Sequence, residues 1–371
     1  MTPRPTELIT RHGVVPLPTF FPDGTRGVVR AVDAQDLERC GVPGIVVNTL
    51  HLAQSPGVGL IKSQGGIHRF MGWDRPIISD SGGFQAMSMI RENARYGTIS
   101  DAGIMFTNVD AKEQPKLKLT PDKSVQIQFD LGADVLVCLD DCPRPDADRQ
   151  TVSESVRRTV AWAKRCKAEF DRQVENRRLE GAERPRLFGV IHGGYDPALR
   201  RQCAEELIPL GFDGFGFGGW PLDPAGNLAE ETLACTADLM PDHLPKYALG
   251  VGSPESIACC VEMGYQIFDC VLPTRDARHQ RLYCFDENDS GHSFLYIQDD
   301  KYKRDGRPVS EVCDCPCCTH YSRSYLHHLF GIGDTLALRL ATMHNLRFYM
   351  RWMEKLTPAA ISHRLEKGEA K

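Results

Sequence analysis

Apolar and polar positions follow two periods along this chain, and each change of period marks an element. Short apolar runs at residues 44–48, 76–79, 134–139, 187–191, 214–217, 247–249 and 266–268 read as buried strands. Longer segments of helical period separate them. Pro121–Leu131 opens with Thr120 as N-cap and proline at the first helical position; residues 152–175 are rich in Arg, Lys, Ala and Glu; residues 335–354 follow a capping Asp334. Ahead of this rhythm, residues 10–30 are dense in turn formers (Pro16, Pro18, Pro22, Asp23-Gly24, Gly27), which predicts a small irregular sheet before the main fold.

Strand alternating with helix predicts a parallel sheet, either closed as an eight-fold barrel or open and doubly wound. The polar residues decide between them. Asp80, Asp140, His192, Gly218-Gly219, Gly250 and Asp269 each follow an apolar run, which in a barrel gathers them on one rim, where barrel active sites lie. An open nucleotide-binding sheet carries a glycine fingerprint after its first strand. Asp80-Ser81-Gly82-Gly83-Phe84-Gln85 has neither the G-x-G-x-x-G nor the P-loop spacing.

Residues 268–278, Phe-Asp-Cys-Val-Leu-Pro-Thr-Arg-Asp-Ala-Arg, concentrate chemistry. Asp269 ends an apolar run, Pro273 marks a turn, and Arg275 and Arg278 follow. A carboxylate at a strand end beside arginines suits attack on a sugar carbon of a phosphate-bearing substrate. Taken alone, the stretch also reads as an aspartate capping a loop.

Composition narrows the class. A chain of 371 residues, 25% charged and 42% hydrophobic, is that of an ordinary soluble globular protein. No apolar run approaches the roughly 20 residues of a membrane helix, and residues 1–11 lack a signal-peptide core, so a cytoplasmic protein is expected. Of the 14 cysteines, ten are scattered singly or sit in apolar segments (Cys138, Cys203, Cys235, Cys259, Cys270), as reduced buried thiols do. The net charge of −5 argues against a nucleic-acid partner, yet from Lys301 onward 12 Lys/Arg face 7 Asp/Glu. Such a basic tail is either a solvated face or a footprint for phosphate.

The other four cysteines crowd into residues 313–318. Cys313-x-Cys315-x-x-Cys318, with His344 in the last helical segment, supplies three thiolates and an imidazole, which fill a tetrahedral zinc shell and leave no open position. The site expected is structural. Cys317 competes with its neighbour for the role, and His320, His327 and His328 compete with His344.

With these residues in place, the chain resembles the tRNA-guanine transglycosylase family over nearly its whole length. The matching segments are His12-Gly13 and Phe20 to Gly27, Asn48-Thr-Leu-His-Leu, Gly65-Gly-Ile-His-Arg-Phe-Met-Gly-Trp, Asp80 to Gln85, Leu119-Thr-Pro, Gly211-Phe-Asp-Gly, Gly250-Val-Gly, Phe268-Asp-Cys-Val-Leu-Pro-Thr-Arg and the cysteine cluster with its distant histidine. The resemblance implies an irregular (β/α)8 TIM barrel with a small N-terminal sheet over residues 1–300. A zinc-binding subdomain over residues 301–371 would pack on it. It implies exchange of guanine in a tRNA anticodon for a 7-deazaguanine, of the preQ1 or queuine type, in queuosine biosynthesis. By position, Asp269 is the nucleophile on the ribose C1′ and Asp80 the acid/base. Ser81, Gly82, Gly83, Phe84, Gln85, Asp140, His192, Gly218, Gly219 and Trp220 line the base site, with Asp140 reading guanine N1–H and the 2-amino group and the glycine backbone offering an N–H to O6. Phe84 or Trp220 stacks on the base. Gly250, Val251, Gly252, Ser253, Pro254, Glu255 and Ser256, with Thr274, Arg275, Asp276, Ala277 and Arg278, face the RNA. One structural Zn2+ per chain, on Cys313, Cys315, Cys318 and His344, and a homodimer are implied as well.

The chain departs from the family in ways that bear on base identity. His192 stands where Gln is usual, Trp220 where Leu is, Asp141 where bacterial members carry Glu, and Gln280 where Gly is. An acidic residue just past the glycine pair is replaced by residues 221–224. The peptide after that pair is Trp220-Pro221, which has no N–H and leaves only a carbonyl, suited to a donor such as an aminomethyl group. Trp220 should narrow the pocket against a cyclopentenediol, and His192 replaces Gln if a ring N–H faces O6. Two further readings are a paralogue that inserts its base into DNA and a non-catalytic RNA-binding accessory subunit. The retained aspartates weigh against the second.

Overall fold

The structure, a computed structural model, describes residues 3–107, 116–286 and 291–357. The expected tail therefore runs past the described residues at 358. Eight parallel strands form a ring: β1 (Thr19–Pro22), β2 (Ile45–Asn48), β3 (Ile77–Asp80), β4 (Val135–Val137), β5 (Arg186–Ile191), β6 (Gly214–Phe217), β7 (Lys246–Ala248) and β8 (Ile267–Cys270). From β2 to β8 each pairs in parallel with its neighbours in sequence, and β8 pairs with β1; β1 and β2 are the two ends of the sheet. Asp23 bridges Val46, and Gly24 N–H donates to the Val46 carbonyl at 2.7 Å, which joins the end of β1 to β2. The α/β barrel expected from the pattern is the fold.

Its first strand is the correction. The apolar runs suggested seven strands beginning at residue 44, whereas the ring begins at Thr19–Pro22, a four-residue segment that follows one proline and ends in another. So short a run among turn formers carries no visible period, and ring closure supplies its partners. The small sheet expected across residues 10–30 is an antiparallel hairpin, Glu7–Thr10 with Gly13–Pro16. A further three-stranded sheet (Gly97–Ser100, Gly103–Thr107, Lys116–Leu119) lies between β3 and the helix Pro121–Leu131 and had no counterpart in the sequence reading.

The barrel interior is a distinct apolar cluster. Phe21, Val46, Ile78, Val135, Val137, Phe188, Val190, Tyr247 and Ile267 point inward from seven strands, and Leu8, Val15 and Leu17 from the hairpin join them. The remaining strand, β6, turns Gly214 inward, where a Cβ would fall 2.6 Å from the Phe188 ring. Outside the ring, a larger core takes the alternate residues and the helices, including the long Arg149–Arg177. The final helix, Thr335–Lys355, belongs to two cores. Its Met343 to Met353 half packs on the barrel, with Tyr349 4.8 Å from Phe20, and its Ala337 to Ala341 half packs with the buried cysteines. That second cluster also takes Ala277, Leu282, Leu295 and Ile297, which precede residue 301. Among the described residues no helix is long and apolar enough to cross a membrane.

Candidate active site and metal centre

Two-residue alternation builds the rim. Asn48 follows Val46, Asp80 follows Ile78, His192 follows Val190, Gly218 follows Gly216, and Asp269 follows Ile267, so each is the next inward position above the apolar plug. Asp80 ends β3. It accepts from Asn48 Nδ2 (2.8 Å), Thr49 N–H (3.2 Å) and Gly82 N–H (3.0 Å). Gly82 sits at φ +75, and a Cβ there would lie 2.6 Å from the Leu50 nitrogen. Asp269 accepts from the Tyr247 hydroxyl (2.8 Å) and Gly250 N–H (2.9 Å).

These surroundings perturb both acids. Burial raises Asp80 to about 7, against the pull of the Thr49 and Gly82 N–H groups and with the Asp269 charge adding to the rise. Burial likewise raises Asp269 to about 6, against the Gly250 and Tyr247 hydrogen bonds. The order leaves Asp269 the first to ionise and Asp80 the later. Asn48, Thr49 and Tyr247 were missing from the sequence-derived site. Asn48 and Tyr247 lay inside strand runs, and alternation past the strand ends was the signal that would have found Asn48.

The expected base-site residues come together on the adjoining arc. His192 turns Nε2 to Asp140 Oδ2 at 2.5 Å, and its Nδ1 is buried without a partner. The condition under which His192 replaces the usual glutamine, a ring N–H facing O6, is therefore not met by Nε2. Gly218 is the reason: a Cβ on it would fall inside the imidazole, so glycine alone lets the ring lie there. Gly218 N–H donates to Ile191 O at 2.9 Å, while Gly219 N–H has no protein acceptor among the described residues. Trp220 Nε1 donates to Pro143 O (3.0 Å) and the indole meets Phe84 edge-on at 5.4 Å. Phe84 itself is 40% exposed. A cavity of about 390 Å³ adjoins Trp220, walled also by His192, Tyr195, Arg200 and Gly219. Ser81 is buried, Gly83 starts the helix Gly83–Glu92, and Gln85 keeps a buried Oε1 without a partner. Asp141 does not join the site. It is fully buried and holds Arg91 and Arg158.

The segment after β8 is a helix, Leu272–Arg278, where the sequence suggested a proline turn and loop. Pro273 sits in its first turn, a position that wants no N–H. Within it Thr274, Asp276 and Ala277 are buried, with Asp276 taking Arg281 and the Tyr283 hydroxyl, so their side chains are not available to RNA. Arg275 is exposed and Arg278 half-buried; burial and the charges of Arg30 and Arg275 push Arg278 down. In the other segment Val251, Gly252 and Pro254 are buried, and Gly250, Ser253, Glu255 and Ser256 are accessible. Gln280 adopts φ +66, the left-handed conformation that the glycine usual in this place takes without strain.

Below this face, Cys313, Cys315, Cys318 and His344 bring their ligand atoms within 4.8 Å of one another, all buried. His344 Nε2 lies 2.7 Å from Tyr283 O, so it carries the proton and leaves Nδ1 facing Cys318 Sγ at 3.2 Å. Three thiols and a fixed imidazole fit a four-coordinate metal. Cys317 and His320 lie outside this cluster.

A nearly closed parallel barrel with two perturbed carboxylates at its C-terminal rim has the form of a barrel enzyme. The family model described as Queuine tRNA-ribosyltransferase matches residues 1–368. Queuine tRNA-ribosyltransferases of Methylacidiphilum infernorum (38% identical, covering 94% of this chain and 89% of the relative), Thiobacillus denitrificans (38%, 98% and 94%) and Staphylococcus epidermidis (39%, 96% and 88%) align along it. The chain belongs to the queuine tRNA-ribosyltransferase family, the tRNA-guanine transglycosylases.

Two outcomes follow from the geometry. The fold holds the Asp80 and Asp269 protons more tightly than the unfolded chain does, so both groups lose stability as pH rises from about 4 towards 7. Asp80→Asn should therefore raise the melting temperature more at pH 8 than at pH 4 in scanning calorimetry; equal gains would contradict the burial of that charge. Chelation of the metal-loaded protein should speed hydrogen exchange in Thr335–Lys355 and the hairpin Arg281–Phe285/His292–Tyr296 before it reaches β3 to β6.

Proposed function

We propose that this protein exchanges guanine in a tRNA anticodon for a 7-deazaguanine through a covalent ribosyl intermediate on Asp269. The inward pairing of Asp80 and Asp269, with Asp269 the stronger acid, carries the reading. Between about pH 6 and pH 7 Asp269 is ionised while Asp80 still holds its proton, the state that a nucleophile and a general acid require. The Asp269 carboxylate attacks C1′ as the C1′–N9 bond breaks, and Asp80 supplies the proton that N9 takes up. The incoming base then returns a proton from N9 to Asp80, attacks C1′ and releases Asp269.

Asp140, steadied by His192, would accept from N1–H and the 2-amino group, and Gly219 N–H would donate to O6. Phe84, standing against Trp220, offers a face for stacking. Arg275 and Arg278, with the accessible part of residues 250–256, would take the RNA backbone. Zinc would be held by Cys313, Cys315, Cys318 and His344, where the full donor set leaves it no part in the chemistry. The barrel over residues 1–300 and the metal-binding unit over residues 301–371 would act together, as a cytoplasmic homodimer. The Trp220-Pro221 carbonyl would favour an aminomethyl base. Insertion into DNA and an accessory role are not favoured, since the aligned relatives are tRNA-ribosyltransferases and both aspartates are in place.

Incubation with tRNA and labelled guanine should show incorporation, and a denaturing gel should trap a protein–RNA adduct with wild type but none with Asp269→Asn. Absence of incorporation into any tRNA would refute the proposal. The pH profile of kcat/KM should be bell-shaped, rising near pH 6 and falling above about pH 7. If the aminomethyl reading holds, direct binding should not rank a cyano base tenfold above an aminomethyl base, a gap of about 1.4 kcal/mol.

A further inference from the structure

Arg200 has no part in the roles above. It lies in the helix Pro197–Leu207 after β5, is 1% exposed, and none of its hydrogen bonds goes to a carboxylate. Nε donates to Gly194 O (2.8 Å), one terminal nitrogen to Ile191 O (3.2 Å) and the other to Gly218 O (3.0 Å), while the guanidinium stands 4.3 Å from the centre of the Phe217 ring. A buried cation without a counter-charge is costly, and burial accordingly lowers its pKa to about 10.

The bond to Gly218 suggests what offsets that cost. The only cis peptides among the described residues precede Pro18 and Pro56, so the 218–219 peptide is trans, and its carbonyl and N–H point in opposite directions. Arg200 grips the carbonyl. The N–H of Gly219 must then point away from the buried guanidinium, and no protein acceptor meets it there. Gly219 itself sits at φ +116, a conformation open to glycine. With His192 Nε2 engaged by Asp140, this N–H remains without a protein acceptor among the described residues.

We propose that Arg200 is a positioning residue for base exchange: by holding the Gly218 carbonyl it fixes the Gly219 N–H against O6 of the bound base. As the C1′–N9 bond breaks, its electron pair passes into the purine and part of the charge reaches O6. A donor locked before the reaction, with a buried cation behind its peptide, stabilises that charge without reorganisation. The inference rests on the base-site reading given under the proposed function.

Guanine and 6-thioguanine separate the two ideas, because both keep N1–H and the 2-amino group for Asp140 while sulfur is a far poorer acceptor than O6. Calorimetric titration should show wild type binding guanine the more tightly. Arg200→Met should weaken guanine by about tenfold or more and 6-thioguanine by less than about threefold, so that the preference collapses. Equal weakening of both ligands, or no loss for guanine, would overturn the role. Should Arg200→Met fail to fold, the wild-type Gly219 amide can be followed by NMR. A downfield shift larger with guanine than with 6-thioguanine supports the proposal, and an unmoved amide in guanine-saturated protein overturns it. A wild-type protein that binds neither ligand would sink the base-site reading and this inference with it, whereas guanine binding without the amide shift sinks the inference alone.

Discussion

Inside a closed ring of strands every second side chain has to point inward, and the interior is too narrow to hold water beside the large apolar groups that fill it. Phe21, Phe188, Tyr247 and the aliphatic residues of the other strands occupy that space, sealed from beneath by Leu8, Val15 and Leu17. The next inward positions up each strand have no choice but to stand on this dry floor. Asp80 and Asp269 are two of them. Their raised pKa values are therefore a consequence of strand alternation above a packed barrel and need no special feature of the loops.

Neighbouring charge then separates two acids that the floor alone would treat alike. Both receive two or three donors, yet Asp80 also carries the field of Asp269, while the added charge on Asp269 comes from Asp23. The result is a carboxyl on β8 that ionises before the one on β3, the order the proposed roles of Asp269 and Asp80 require. A similar economy governs the base arc, where Gly218 admits the His192 ring by lacking a side chain and so directs Nε2 to Asp140. Histidine in the place of the family's usual glutamine thus spends its Nε2 on Asp140, and on the proposed reading the neighbouring Gly219 N–H is left to meet O6.

How far the sequence reveals all this depends on whether a residue's role is local. The barrel, the helix Pro121–Leu131 with its Thr120 cap, the rim position of both aspartates and the gathering of Cys313, Cys315, Cys318 and His344 were legible because period, capping and spacing are written in neighbouring residues. Thr19–Pro22 was not, since a four-residue strand that follows one proline and ends in another owes its identity to its partner β8. Nor was the direction of His192, which depends on Gly218, 26 residues away. The resemblance places Thr274, Asp276 and Ala277 against the RNA together with Arg275 and Arg278, yet the three are buried. Helical geometry gives adjacent residues opposite surroundings, and a motif read as a string does not record that.

One helix links the metal cluster to the rim. Within a short span of Thr335–Lys355, His344 faces the thiols, Asn345 Nδ2 donates to Pro273 O and Arg281 O (both 3.0 Å), Tyr349 donates to Gly252 O (2.8 Å) and Trp352 to Pro254 O (3.0 Å). Pro273 begins the helix that carries Arg275 and Arg278, and Gly252 and Pro254 lie in the segment after β7. Each carbonyl is held by a side chain whose placement depends on the register of the same helix. A metal that locked His344 would therefore also bear on the placement of both segments. On the proposed function, a centre in this position would act on how the polymer meets Asp269, whereas Asp80 and Asp269 take their hydrogen bonds from barrel strands and rim loops and none from this helix.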